Sequence, residues 1–194
     1  MASKLKLLDV RLSFPDLFEA VEFQAGDKKP RYNASFLVVP GSANDKAIQA
    51  AITAACVEKL GAKAKAKQAA WEKSGDVCYT DGNAKEYDGY ADMMVLSSHR
   101  RAVDGPVGVY SNVIDPQTGK VAVLTAVSGK PYAGCYVNAT VEIYITEGKF
   151  PGIRCGLVAV QYKRDGDAFS GSKPASPDDF QEEIGEGSDA DAIA

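Results

Sequence analysis

The chain has 194 residues, 45% of them hydrophobic and 9% aromatic, which suits one packed domain with appendages rather than a fibrous or wholly disordered chain. Its formal charge of −4 comes from 22 bases and 26 acids, but residues 178–191 carry seven acids and no base, leaving residues 1–177 at +3. No apolar run has the length of a membrane span or a signal-peptide core, and four scattered cysteines with one histidine do not make a zinc site, so a reduced, cytoplasmic protein is expected.

KLLDVRLSF (6–14) alternates, with Leu8, Val10, Leu12 and Phe14 on one side and Leu7, Asp9, Arg11 and Ser13 on the other. That is the pattern of a half-buried strand. Residues 15–30 read as a long, turn-rich connection. RYNASFLVV (31–39) alternates again, Tyr32, Phe36 and Val38 against Arg31, Asn33 and Ser35, and Pro40-Gly41 ends it. Ser42 or Asn44 can cap a helix by accepting from an orphan backbone N–H. Ile48, Ile52, Ala55, Cys56 and Leu60 then form one helical stripe, and the helix is expected to reach about Trp71 although Gly61 weakens it. Lys59, Lys63, Lys65, Lys67 and Lys73 read as its solvated face.

Strand signals resume at residues 77–80 and 89–98, and at 107–113 and 121–126 about the turn DPQTG. GCYVNATVEIYI (134–145) is the clearest strand. Cys135, Val137, Ala139, Val141, Ile143 and Ile145 face one way; Tyr136, Asn138, Thr140, Glu142 and Tyr144 the other. Residues 152–163 are apolar on both faces. A Gly/Ser/Pro linker at 166–177 leads into the acidic tail, 178–194, whose apolar residues stand singly. Such a segment cannot offset its ordering entropy and is expected to be disordered. The body, residues 1–165, is therefore read as mainly β. An OB-fold-type barrel with one inserted long helix fits, because closure removes exposed edges; a β-sandwich is the alternative.

Signals of catalysis are weak. There is no GxSxG serine and no Walker loop, and Asp88 and Asp92 lack the base and further ligands of a metal nuclease. A non-enzyme without a cofactor is expected. Signals of binding are stronger. The outward set Tyr136, Asn138, Thr140 and Tyr144 offers flat rings on which bases of a single strand can stack. Basic residues interleave with aromatics nearby: Arg100 and Arg101, Lys130 beside Tyr132, Arg154, and Lys163 beside Tyr162. Arg31 and Tyr110 complete the candidate set. A mildly basic body tethered to a polyanionic tail favours self-masking of an anion-binding groove.

Three stretches, RLSFPDLFEA (11–20), KPRYNASFLVVP (29–40) and above all GKPYAGCYVNATVEIYI (129–145), carry a resemblance. The last holds the order Gly129, Tyr132, Gly134, Tyr136, Val137, Asn138, Ala139. The sequence resembles the short phage-encoded single-stranded DNA-binding proteins, a group similar in plan to those of podophages. The resemblance implies an OB-fold body that binds single-stranded DNA during phage replication, recombination or repair in the cytoplasm of the infected bacterial host. It also implies that the tail residues Asp178, Asp179, Phe180, Glu182, Glu183, Glu186, Asp189 and Asp191 compete with DNA and dock a polymerase, helicase or nuclease. Related tails often end on an aromatic residue, whereas this one ends Asp-Ala-Ile-Ala, with Phe180 the nearest substitute. The competing reading is a β-rich phage structural or assembly protein using its tyrosine face between subunits. A mobile acidic tail would add little to such a subunit.

Overall fold

The computed structural model describes residues 4–22, 26 and 29–169. The expectations for the tail from Asp178 onward, Phe180 included, lie outside these residues, as does most of the expected linker. The described residues form eight strands and two α-helices. In chain order they are β1 (Lys4–Val21), β2 (Arg31–Val38), α1 (Ala43–Leu60), α2 (Ala64–Ser74), β3 (Tyr79–Asp81), β4 (Met94–Arg101), β5 (Gly108–Ile114), β6 (Val121–Val123), β7 (Tyr136–Thr146) and β8 (Gly152–Arg164).

Strand pairing runs β3-β4-β2-β1-β7-β8-β5-β6, and β8 also pairs with β4. The strands β1, β2, β4, β8 and β7 therefore close a five-stranded barrel of OB type. The closing contact is parallel, His99 beside Gly156. β8 serves two partners on its edge away from β7. Its ladder with β7 skips Val158, and beyond that bulge it pairs in parallel with β5 instead of β4. A bulge re-aims a strand, which is what a change of partner requires. The β5–β6 hairpin thus leaves the barrel as an arm.

β1 is longer than the sequence pattern suggests. Its second half continues through the expected connection and pairs Asp16 with Asn33 and Val21 with Arg31. Two residues with left-handed backbone, Asp9 (φ 54°) and Phe14 (φ 47°), break its alternation. Leu7, Val10 and Leu12 consequently point inward, while Leu8 and Phe14, expected inside, are each 53% exposed. β7 obeys the expected phase: Val137, Ala139, Val141 and Ile143 are buried in the barrel with Cys135.

The helical segment closes one end of the barrel. Ser42 caps α1, its Oγ accepting from the Asp45 amide at 3.2 Å. Asn44 instead tethers the helix to β1, bonding both N–H and C=O of Leu8 at 3.0 and 2.7 Å. Gly61 ends α1, and one 3-10 turn separates it from α2. Ile48, Ile52, Cys56, Ala64 and Trp71 pack into the same core as Phe36, Val141 and Leu157. All four cysteines are buried thiols. Among the described residues no helix is long and apolar enough to cross a membrane.

Candidate nucleic-acid interface

In OB barrels the second and third barrel strands, with the loops joining strands 1–2 and 4–5, present the oligonucleotide face. Here those strands are β2 and β4, and the second of those loops is residues 147–151. Arg31, Asn33 and Ser35 alternate with the buried Ala34 and Phe36 and so face outward. Across the ladder Arg31 meets Arg101, Asn33 meets His99, and Ser35 meets Ser97. Arg101 is held by Asp104 in a two-bonded fork, 2.7 Å at each bond. His99 is half-buried, and burial, then the charges of Arg31, Arg154 and Arg101, hold its imidazole below its usual pKa.

Beside this row stands a group of rings. Tyr90 is buried over Leu37 and Val95, and its hydroxyl meets Ser13 Oγ at 3.3 Å. Tyr87 and Phe14 pack edge-on to Tyr90 at 5.3 and 6.4 Å, and to one another at 5.1 Å. Tyr90 is thus a foundation, while Phe14 and Tyr87 remain 53% and 51% exposed. The left-handed backbone at Phe14 is costly for a bulky residue, and it is what swings this ring outward. Phe14 and Tyr87 line one cleft together with Arg31, Asn33, Lys85 and His99.

The row continues past the barrel seam. Arg101, His99, Tyr144 and Thr146 line a second cleft. Tyr144 lies across the ladder from Arg154, whose guanidinium donates to the Pro151 carbonyl at 3.2 Å. Burial raises the Tyr144 phenol. In the 147–151 loop Phe150 is 71% exposed, with Lys149 Nζ 5.4 Å from its ring. Rings at both ends and bases between them make a surface on which bases can stack and phosphates can be neutralised.

The family described as Enterobacter phage Enc34, ssDNA-binding protein, matches residues 3–193. The chain belongs to this family of non-catalytic phage single-stranded DNA-binding proteins. Protein p50 of Acyrthosiphon pisum secondary endosymbiont phage 1 is 40% identical over 183 residues, covering 92% of this chain and 93% of that protein. The fold is shared with the single-stranded DNA-binding protein from bacteriophage Enc34 solved in complex with ssDNA, at a TM-score of 0.64 and 17% identity over 85% of this chain and 88% of that one. It is also shared with gp2.5, the single-stranded DNA binding protein encoded by bacteriophage T7, at a TM-score of 0.53 and 10% identity over 100% of both chains.

Against this family frame, the residues singled out from the sequence separate into groups. Arg31, Arg101, Tyr144 and Arg154 lie along the β2–β4 face and its seam. Arg100 also borders the second cleft, with its guanidinium engaged by the carbonyls of Gly105 and Asp104. Lys130, Tyr132, Tyr136, Asn138 and Lys163 gather at the other end of β7, where internal partners engage them. Lys163 Nζ lies 3.7 Å from Asp9. Asn138 accepts from the Asp9 amide and donates to Gln161. The Arg164 guanidinium lies 3.5 Å from the Tyr136 ring centroid, so that ring is already stacked. Tyr162, singled out as the aromatic beside Lys163, is 7% exposed and belongs to the core, because the β8 bulge at Val158 reverses the strand's phase. Tyr110 sits on the β5–β6 arm, in a separate cleft with Lys6 and Thr140.

The sequence reading missed Phe14, Tyr87, His99 and Phe150. Phe14 was hidden by its left-handed backbone, which breaks the alternation of β1. Tyr87 and Phe150 carried a usable signal: each stands among turn residues, YDG and KFPG, where no strand or helix could carry the ring into a core.

Proposed function

We propose that this chain coats single-stranded DNA, without catalysis and without reading sequence, along the outer face of β2 and β4. It would do so in phage DNA replication, recombination or repair, in the cytoplasm of the infected bacterial host. The observation that carries this reading is the placement of two outward rings, Phe14 and Tyr87, beside the facing pair Arg31 and Arg101. Arginine takes phosphate through a planar fork of donors. A ring accepts any base, since every base has a π-face, and each stacked base contributes about 1–3 kcal/mol. His99 and Asn33 sit between the two kinds of contact. Tyr144, Arg154 and Phe150 extend the path to the 147–151 loop. The Enc34 protein's solved complex with ssDNA supports the same ligand for this chain.

The tail completes the proposal. Seven acids on a tether compete with DNA phosphates for the basic face and also dock a replication partner, with Phe180 as the apolar contact. Replacing Asp178, Asp179, Glu182, Glu183, Glu186, Asp189 and Asp191 by their amides should tighten DNA binding at low salt. The gap should narrow as screening shortens the electrostatic range to about 10 Å at 0.1 M.

The test is a pair of fluorescence-anisotropy titrations with single- and double-stranded oligonucleotides of one sequence. Micromolar or tighter binding of the single strand, weakening steeply with salt, is expected. Absence of single-strand binding at micromolar protein overturns the reading.

A further inference from the structure

The most specific motif of the sequence, Gly129 to Ala139, has no task on the β2–β4 face. What it touches is the end of the described chain. Residues 165–169 do not leave the body after β8; they turn back across the end of β1 and β7. The Tyr132 hydroxyl shares its one hydrogen between Asp165 and the Gly166 carbonyl, each 2.9 Å away, and accepts from the Gly166 amide at 3.2 Å. Lys130 Nζ reaches Asp165 at 3.1 Å. Arg11 donates to Gly134 O at 3.1 Å and to Asp167 O at 2.7 Å, and its guanidinium lies 4.5 Å from the Phe169 ring centroid. The Phe169 amide bonds Ala133 O at 3.1 Å.

Two glycines make room for this path. At Gly134 (φ +101°) a Cβ would lie 2.2 Å from Asp167 O, and at Gly89 (φ +75°) one would lie 2.7 Å from the Phe169 ring. Phe169 is thereby seated against the buried cluster of Tyr90, Leu37 and Val95. It shares a cleft with Phe14 and Tyr87, on the side of that ring pair away from Arg31 and His99.

We infer that Arg11 with Tyr132, Ala133 and Gly134 forms a clamp for the strap Asp165–Phe169, and that the clamp fixes the point from which the acidic tail reaches the DNA face. The inference rests on the masking role proposed for that tail. Asp178 follows Phe169 by nine residues, a reach of at most about 32 Å. An unclamped strap would lengthen the tether by the five residues 165–169 and move its root to the end of β8. Arg11, Phe169 and the motif are thus positioning residues for the tail rather than DNA contacts. A shorter tether rooted nearer its target raises effective concentration.

The experiment compares affinities for single-stranded DNA at low salt in full-length protein, with the seven tail acids intact or replaced by amides. This is done in three backgrounds: wild type, Phe169→Ala and Arg11→Gln. The ratio of the two dissociation constants measures masking. In wild type the ratio should exceed one. In either clamp variant the excess of that ratio over one should fall by about two- to four-fold, following tether length and root position, while the amide-tail forms bind DNA as the wild-type amide form does. Hydrogen exchange at the Phe169 amide should be slow in wild type and faster in Arg11→Gln. A wild-type ratio above one that neither variant lowers overturns the clamp and leaves masking intact. A wild-type ratio of one overturns masking, and the clamp's role with it. Loss of DNA binding in the amide-tail clamp variants, with melting unchanged, would make Phe169 or Arg11 a DNA contact and also overturn the inference.

Discussion

Arg31 and Arg101 are direct cross-strand partners on the antiparallel pair β2–β4. Asp104, forked onto Arg101, eases the repulsion between the two guanidinium groups, and the pairing sets two cations on one outward face, where an anion can meet both. Arg31→Ala should therefore weaken single-stranded DNA binding and reduce the log–log salt slope by about 0.7. The melting temperature of the same variant separates loss of a DNA contact from loss of the fold. Anisotropy titrations over a salt series, with a thermal melt, check both. A lower melting temperature with an unchanged slope would contradict the assignment.

Phe14→Ala should cost about 1–3 kcal/mol of DNA affinity, the loss of one stacked base. Stability should change little, because the ring is 53% exposed. Tyr136→Ala should behave in the opposite way. Its ring supports Arg164, which is forked onto Asp9 at 3.1 Å. Loss of that ring should lower the melting temperature and leave DNA affinity nearly unchanged. Isothermal titration and scanning calorimetry on the two variants separate these outcomes.

These two residues also show what was legible in the sequence. β7 could be read residue by residue because it alternates without a break over its central turns of pleat, and Cys135, Val137, Ala139, Val141 and Ile143 are buried as expected. Its outward tyrosines were correctly placed on the surface side, but what would cover Tyr136 depends on a residue 28 positions later. β1 resisted the same reasoning, since a single residue in left-handed backbone reverses every following side chain. Asp9 and Phe14 both do this, and Asp9 is a residue type that tolerates it. The basic residues were legible as a set. Their neighbours were not, because the facing of Arg31 by Arg101 and of Asn33 by His99 is a matter of long-range register.

His99 gives a pH signature. In the DNA-free protein burial and three arginines keep it below its ordinary value of 6.5. Phosphates brought to Arg31 and Arg101 oppose that charge and raise it, so binding takes up a proton. Affinity should rise as pH falls from 8 towards 5.5, and His99→Gln should flatten that rise. Stability of the DNA-free protein should move the other way. The unfolded chain protonates His99 first, so its contribution is lost as pH falls below 6.5 towards the folded value. Titrations and urea melts across this range test the two signs.

Asp45 tests the fold's own electrostatics. It is 5% exposed; burial alone would raise its carboxyl, but bonds from the Gly41 amide (2.7 Å), Gln49 (2.7 Å) and Tyr79 (2.9 Å) outweigh this and hold it below 3.8. Its contribution is complete above 3.8 and is lost as pH falls through the lower folded value. Asp45→Ala should cost about 1–3 kcal/mol at neutral pH, since it leaves the buried Tyr79 hydroxyl unpaired. The difference from wild type should shrink in acid. Urea denaturation at pH 7 and pH 3 measures both.

The most direct test is where DNA touches the barrel. Photo-crosslinking of a bromodeoxyuridine-substituted single strand, followed by peptide mass spectrometry, reports the rings that stack on bases. The account predicts crosslinks at Phe14, Tyr87 and Phe150, with none at Tyr136. Crosslinks confined to Tyr110 and Tyr136, with Phe14, Tyr87 and Phe150 unmarked, would move the site off β2–β4 and contradict it.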